Sequence, residues 1–312
     1  MKIKNKHNKF QRDIFIDTLF KYAKNDKKIL LLSNDQGAIA LDNFREKIPN
    51  QYLNVGISEQ NIIGVAAGLT KEGFNCFVYS IASFIINRAV EQIKIDLCNM
   101  KLPVKIFGVG CGYSYAVDGP THHATEDIGI LNLMPNMQIF SPSDSFSVEK
   151  IVKSLIKTSS PAYVRLDREM CPPIYNNSKF NLKNGFTELV KGNKYCIIST
   201  GKISSTALNI SKEMKAFKLG VIDIYKIKPF SDNFLDTIKK YKKIFCLEEH
   251  NEVGGIGSII SNFVHEKKMK IDVIKLSLKQ ETIFGYGSRD LLHKKNLIDG
   301  QQVKKIILKE VV

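Results

Sequence analysis

Short apolar runs alternate with amphipathic segments along most of the chain. Runs such as KKILLLSND, NCFVYSI and PVKIFGVG lack apolar-polar alternation, which indicates strands covered on both faces, as in parallel sheets. Segments with helical spacing lie between or beside such runs, at 10–25, 58–73 and 87–100. Strands and helices in this order predict an α/β fold with a parallel sheet.

One segment interrupts this alternation. REMCPPIYNNSKFNLKNG, at 168–185, is rich in Pro, Asn and Lys and has no clear periodicity, so we interpret it as a linker. A second α/β set follows, with the strand-like runs YCIIST, LGVIDIY, KIFCLEE and DVIKLSL. We therefore predict two domains, at 1–178 and 179–312, which suits a chain of 312 residues.

Composition excludes several protein classes. The longest apolar stretches, such as IIGVAAGL, are too short to span a bilayer, and the N-terminus has no apolar signal core, so we expect a soluble cytoplasmic protein with no membrane partner. The net charge of +15 comes from lysines spread along the chain, with no focused basic face for nucleic acid. The six cysteines are scattered without C-x-x-C or zinc spacing, which predicts reduced core thiols.

The densest cluster of titratable residues is AVDGPTHHATED, at 116–127. Its Asp-Gly-Pro is typical of a turn, so His122 and His123 are expected on a loop beyond a strand end, where α/β sheets bind ligands. Adjacent histidines on a short loop rarely reach one ion, and no H-x-x-x-H pattern completes a metal shell. Metal binding, proton transfer, substrate recognition and a purely structural role all remain open. A metal site in this loop would draw on His122, His123, Glu126 and Asp127.

Glu59 lies in NVGISEQN, after a predicted strand and at the start of a predicted helix. The positive end of a helix favours an ionised carboxylate, whereas burial favours a protonated one. A carboxyl group whose pKa depends on both of these opposing effects can share a proton with a nitrogen heterocycle. The alternative interpretation is an ordinary first-turn charge on a surface helix.

PAYVRLDR ends a predicted strand with Arg165 and Arg168. Residues three apart on a strand point to opposite faces, so both reach one ligand only if the strand ends between them. An Arg fork at a strand end suits a phosphate or carboxylate, and a salt bridge to a neighbouring carboxylate is the alternative. The glycine-rich VGGIGS, at 253–258, matches neither nucleotide-binding loop pattern, so we expect packing and turn roles for it.

Taken together and in this order, the segments resemble the transketolase family of thiamine diphosphate enzymes. VGISEQNIIGVAAGL is similar to the family's glutamate-bearing strand-helix unit, and SFIINRAVEQIKIDL to the segment that packs on the cofactor's pyrimidine ring. DGPTHH matches the specific D-G-P-T-H motif. The resemblance runs from LLSND to the end of the chain and implies a pyrimidine-binding α/β domain followed by a transketolase C-terminal α/β domain.

No G-D-G occurs in the sequence. A complete transketolase has a preceding domain that binds the diphosphate through magnesium, with a G-D-G…N motif. The resemblance therefore implies the C-terminal half of a split transketolase. It also implies Mg²⁺ ligands on a separate N-terminal subunit, an α2β2 assembly, and transfer of a two-carbon ketol unit from a ketose to an aldehyde.

The resemblance also implies roles for single residues. Glu59 is expected to bond N1′ of the aminopyrimidine, His122 to exchange protons with substrate oxygens, and Arg168 to hold an anionic substrate tail. The expected cofactor-binding residues are Glu59, Phe84, Ile81 and Asp35. The expected substrate-binding residues are Asp118, His122 and Arg168, and no metal ligand is expected.

Two positions depart from the family pattern. Gly110 stands where sugar-phosphate transketolases carry a histidine that contacts the substrate phosphate, and Ile39 stands where they tend to have a phosphate-binding serine. These departures favour a specialised sugar over a simple pentose phosphate. The open alternatives are the β subunit of a 2-oxo acid dehydrogenase, a 1-deoxyxylulose-phosphate synthase-like half-enzyme, a metal-dependent hydrolase and a non-catalytic binding subunit.

Overall fold

The computed structural model describes residues 9–175, 180–284 and 287–311. The strands are β1 Ile29–Ser33, β2 Tyr52–Asn54, β3 Asn75–Ile81, β4 Lys105–Val109, β5 Gln138–Phe140, β6 Ala162–Leu166, β7 Phe186–Val190, β8 Tyr195–Ser199, β9 Gly220–Ile224, β10 Lys226–Lys228, β11 Lys243–Asn251 and β12 Asp272–Leu278. The helices are α1 Gln11–Ala23, α2 Asp42–Lys47, α3 Glu59–Lys71, α4 Ala82–Arg88, α5 Val90–Gln92, α6 Asp127–Asn132, α7 Ser145–Leu155, α8 Ser204–Glu213, α9 Phe234–Ile238, α10 Ile256–Glu266, α11 Arg289–Lys295 and α12 Gly300–Val311. A π-helical turn, Ile93–Asn99, follows α5.

The first sheet has the strand order β10-β5-β6-β4-β3-β1-β2 in the described residues. Every pairing is parallel except that of β10 with β5. One face is covered by α1 and α7, and the other by α3, α4 and the π-helical turn, so strands such as β1 and β4 are buried throughout. Burial on both faces explains the unbroken apolar runs of the sequence.

The second sheet has the order β12-β11-β8-β9-β7 within the described ranges, with β7 antiparallel at one edge. Its strands and α10 share a hydrophobic cluster with α3 and α4 of the first sheet, so the two units form one continuous core. The fold class is as predicted: two mixed, mostly parallel α/β sheets. The proposed boundary at 178/179 lies outside the described residues and remains a prediction.

Two predictions about elements need correction. The helix expected over 87–100 instead begins at Ala82, directly after β3, and changes to π-helical geometry at Ile93. The antiparallel edge strands β7 and β10 were not predicted. In particular, β10 follows a strand of the second sheet but pairs with β5 of the first, Lys226 opposite Phe140. Short edge strands carry little periodicity of their own, and their pairing depends on the tertiary arrangement.

The cysteines lie in the described residues as buried free thiols, which confirms the prediction of core thiols. Nowhere in the described ranges is there a helix of sufficient length and apolar character to cross a bilayer.

Candidate active site

The predicted site residues lie at one edge of the first sheet. Parallel strands place their carboxyl ends together, so the loops after β1, β2, β3, β4 and β6 meet there. Asp35 follows β1, and Glu59 follows β2 at the start of α3. Phe84 lies in α4 after β3, Asp118 and His122 lie in the loop after β4, and Arg168 follows β6.

Glu59 is buried, with 4% of its surface exposed, although it opens a helix. Its Oε2 accepts a hydrogen bond from Nη1 of Arg88 at 2.9 Å. The Arg88 guanidinium also lies 4.3 Å from the centre of the Phe84 ring, on the same helix. The prediction missed Arg88. Its position four residues after Phe84, where helical side chains meet, was the available signal.

The two histidines of the loop face different neighbours. His122 ends a short 3₁₀ turn, and its ring lies edge-on to Phe84 with 4.8 Å between the centroids. Thr121 Oγ1 is 3.0 Å from Nδ1 of His122. His123 is buried instead against Tyr113, also at 4.8 Å, and this burial lowers its pKa. Only His122 therefore joins the Glu59 side of the loop.

Tyr115, Arg168 and Asp118 continue the site beyond His122. The Tyr115 ring lies 5.7 Å from His122, and the Arg168 guanidinium stacks over Tyr115 at 4.6 Å. Nη1 of Arg168 donates to Oδ2 of Asp118 at 3.3 Å, and both side chains are partly exposed. An unbroken series of contacts thus runs across the sheet edge. Its members in order are Glu59, Arg88, Phe84, His122, Tyr115, Arg168 and Asp118.

Asp35 and Ile81 lie at the same edge but make other contacts. Asp35 adopts a left-handed backbone conformation, and its Oδ1 accepts from Nδ2 of Asn54 at 2.9 Å. Ile81 is partly buried and packs on the hydrophobic cluster beneath α1. Their predicted roles in cofactor binding remain predictions.

The candidate metal ligands of the loop also diverge. Glu126 accepts from Asn87 at 2.8 Å, whereas Asp127 is buried and accepts from Arg165 and Tyr163, each at 2.7 Å. The salt-bridge alternative for Arg165 is therefore correct. In the part of the chain that the structure describes, no group of three or more His, Cys, Asp or Glu side chains is placed to hold a metal ion.

Gly110 has a left-handed φ of 93°, which suits glycine. A Cβ atom added there would overlap Cε2 and Cδ2 of Tyr115. The Tyr115 ring thus occupies the space that a side chain at position 110 would need. An aromatic side chain, rather than one carried by residue 110, forms this part of the site.

Gly110→Ala is expected to lower the free energy of unfolding more than Gly56→Ala does. Both glycines have positive φ, at 93° and 74°, but a Cβ at Gly56 meets nothing within 4 Å. The control therefore measures the backbone cost of about 1–3 kcal/mol alone. Overlap with Tyr115 should add about 1–3 kcal/mol. Urea unfolding of the isolated chain measures both losses.

The double variant Gly110→Ala, Tyr115→Ala should recover part of that added loss, because the overlap disappears with the ring. Strict additivity of the two substitutions would show that Tyr115 does not occupy this space.

The VGGIGS segment has the packing role predicted for it. The buried carboxylate of Glu248 accepts from the backbone N–H groups of Ile256 at 2.7 Å and Gly257 at 2.9 Å. A protein carboxylate therefore takes the position at the start of α10 that an anionic ligand would need.

Comparison with known proteins matches both α/β units of the chain. Residues 11–173 match the family model of the transketolase pyrimidine-binding domain, and residues 186–303 match that of the transketolase C-terminal domain. The chain is 34% identical to one of the subunits of apulose-4-phosphate transketolase from Phocaeicola vulgatus, over 84% of this chain and 86% of the relative. It is 30% identical to 1-deoxy-D-xylulose-5-phosphate synthase of Chlamydia pneumoniae, over 95% of this chain but 47% of that protein.

Among solved structures, a split-gene transketolase described as an inactive β4 tetramer superimposes with a TM-score of 0.85. That match has 28% identity and covers 96% of this chain and 97% of the other. The chain therefore belongs to the transketolase family, as a transketolase-like transferase subunit with the family's pyrimidine-binding and C-terminal domains.

Proposed function

We propose that this chain is the pyrimidine- and substrate-binding subunit of a two-polypeptide transketolase. A separate partner chain binds the diphosphate and Mg²⁺ of thiamine diphosphate, and the two form an α2β2 assembly. The complex transfers a two-carbon ketol unit from a ketose to an aldehyde. The series of contacts from Glu59 to Asp118 carries this proposal, because it joins the expected cofactor residues to the expected substrate residues.

The residues present fit the pyrimidine end of the cofactor. Glu59 offers a buried carboxylate at a helix N-terminus, and the flat Arg88 guanidinium lies over the Phe84 ring, where a planar pyrimidine would replace it. When bound, thiamine diphosphate supplies the nucleophilic carbon that attacks a ketose carbonyl. Glu59 would share a proton with N1′ of the pyrimidine, and Phe84 would pack on that ring and keep water from it.

On the substrate side, Nδ1 of His122 accepts from the Thr121 hydroxyl in the tautomer that carries the proton on Nε2, and in this tautomer Nε2 would donate to substrate oxygens. Asp118 accepts from a substrate hydroxyl near the reacting carbons. The guanidinium N–H groups of Arg168 that do not bond Asp118 would bind the anionic end of the substrate.

A specialised sugar fits this site better than a simple pentose phosphate. Tyr115 takes the space beside Gly110, and the Ile39 side chain has no hydroxyl group, so neither position offers the family's phosphate contact. The similar protein from P. vulgatus is named for apulose-4-phosphate, which supports a substrate outside the common pentose phosphates.

The second candidate is a 1-deoxyxylulose-5-phosphate synthase-like half-enzyme, favoured by the identity of 30% to that synthase. The donor separates the two functions. Ketol transfer consumes a ketose, whereas the synthase reaction uses a 2-oxo acid. Turnover with pyruvate and a triose phosphate, but with no ketose, would favour the second candidate.

The isolated chain is expected neither to bind thiamine diphosphate tightly nor to turn over. The described residues hold no metal cluster, and charge-assisted bonds to the diphosphate, worth about 1.5–3 kcal/mol each, would come from the partner. Calorimetry with Mg²⁺ should show affinity at least about 100-fold weaker for the chain alone than for the complex.

Analytical ultracentrifugation of the same samples should show an α2β2 species only after the partner is added. The solved split-gene relative, described as inactive in its β4 form, supports this expectation. Tight binding and turnover by the isolated chain would contradict the two-polypeptide proposal.

A further inference from the structure

The backbone on both sides of Arg168 is held by the second α/β unit. Asp167 and Glu169 flank Arg168, and both carboxylates accept from Arg289 of α11. Asp167 receives two bonds, at 3.0 and 2.7 Å, and Glu169 receives one at 3.3 Å. Glu169 is also paired with Lys202. The Arg168 side chain, by contrast, is 48% exposed, and its contacts in the described residues are with the partly exposed Asp118 and the Tyr115 ring.

Arg289 is fixed from behind by the second sheet. Glu249 of β11 is buried and accepts from Nε of Arg289 at 2.8 Å and from Nη2 at 2.5 Å. Burial alone would raise the pKa of Glu249, but Arg289 and His293 outweigh it and hold that pKa well below its ordinary value. Burial alone would likewise lower the pKa of Arg289, and the carboxylates raise it instead. Both pKa shifts favour the ionised forms of Arg289 and Glu249.

The bonds continue into the main chain around Arg168. Oδ1 of Asp167 also accepts from the backbone N–H of Glu169 at 2.8 Å, bridging over Arg168. On the other side, the N–H of Asp167 donates to Gln11 at 2.8 Å. Arg289 therefore binds the carboxylates on both sides of Arg168, and one of them, Asp167, is also bonded to the main chain of this segment. A planar fork with several fixed donors can do this, whereas an ammonium cannot.

We propose that Arg289 is a positioning residue for substrate recognition, through which the C-terminal domain aims Arg168 at the anionic end of the substrate. The inference rests on the role proposed above for Arg168. It gives the C-terminal domain a direct part in specificity. Arg289 is assigned a positioning role because its mostly buried guanidinium is paired with Asp167, Glu169 and Glu249.

The test uses the reconstituted complex with paired aldehyde acceptors. Each phosphorylated triose, tetrose and pentose is compared with its unphosphorylated counterpart. Arg289→Lys should raise KM for phosphorylated acceptors by about 10- to 100-fold, the typical effect of losing a supporting side chain, with little change in kcat. KM for unphosphorylated acceptors should stay within about 2-fold, because they do not use Arg168.

His293→Gln is the matched control. His293 lies on the same helix and pairs with Glu249, but it makes no contact with Asp167 or Glu169 in the described residues. The His293→Gln variant should leave KM for phosphorylated and for unphosphorylated acceptors unchanged. The double variant Arg168→Ala, Arg289→Lys should be no worse than Arg168→Ala alone, because Arg289 acts through Arg168.

Hydrogen exchange at the Glu169 amide gives a readout that needs no substrate. Exchange should be faster in Arg289→Lys and unchanged in His293→Gln. If Arg289→Lys prevents folding, Glu169→Gln and Lys202→Met remove the exposed ion pair of the same segment. These variants should raise KM for phosphorylated acceptors, but not for unphosphorylated ones, by a smaller factor.

The outcomes separate the inference from the proposed function. If Arg168→Ala itself leaves KM for phosphorylated acceptors unchanged, the proposed role of Arg168 fails. If Arg168→Ala raises that KM but Arg289→Lys and the two milder variants do not, Arg168 is a substrate residue and the positioning role of Arg289 is overturned. Equal rises in KM for both acceptor classes would indicate a general structural role and would also overturn it.

Discussion

Glu59→Gln in the reconstituted complex should lower kcat by roughly 10²–10⁴-fold, the range typical of lost proton transfer. Gln keeps the size of the side chain, and its carbonyl oxygen still accepts from Arg88, so the fold around α3 should be retained. The amide cannot share a proton with N1′ of the pyrimidine. The loss should therefore appear in turnover, with only a small change in melting temperature.

Glu72→Gln is the control, since Glu72 is an exposed carboxylate just after the same helix. It should leave kcat unchanged. Steady-state assays with saturating cofactor and the partner chain measure both variants. Near-normal turnover of Glu59→Gln would remove Glu59 from the proton-transfer role.

His122→Ala should lower kcat by roughly 10²–10³-fold, the effect expected when a donor to developing charge is lost. The ring lies between Phe84 and Tyr115, and its Nε2 is the atom proposed to reach the substrate. Asp118→Ala should mainly change the preference among ketose donors that differ in hydroxyl stereochemistry.

His123→Ala provides the comparison, because His123 adjoins His122 but is buried against Tyr113. His123→Ala should lower kcat much less than His122→Ala does. It should mainly lower the stability of the fold, which thermal unfolding measures. Equal losses of kcat at both histidines, together with zinc found by elemental analysis, would favour a metal site in this loop.

Much of the site could be predicted because its residues follow strand ends. Glu59 comes after an apolar run and before a helical repeat, and DGPTHH carries turn residues at fixed spacing. Both signals are local, so they can be recognised in the sequence without knowledge of the fold. Arg88 could have been found from its spacing to Phe84, but its bond to Glu59 and the contact of Tyr115 with Arg168 join residues that are distant in sequence.

The network around Arg289 was beyond sequence reasoning for the same reason. A charged residue near the end of the chain normally indicates a solvated surface. Its burial follows only from the arrangement that places α11 and β11 beside the end of β6, where Asp167 and Glu249 meet it.

The sequence by itself determined the two α/β units, the parallel central strands and the loop that carries His122. Short apolar runs indicate strands that are buried on both faces, and short groups of turn residues indicate loops, so both can be recognised locally. Only the tertiary structure decided that His123 packs against Tyr113 and that β10 completes the first sheet. It also decided that Tyr115 fills the space beside Gly110. These features depend on contacts between segments far apart in the chain, and no local pattern of apolar and polar residues specifies such contacts.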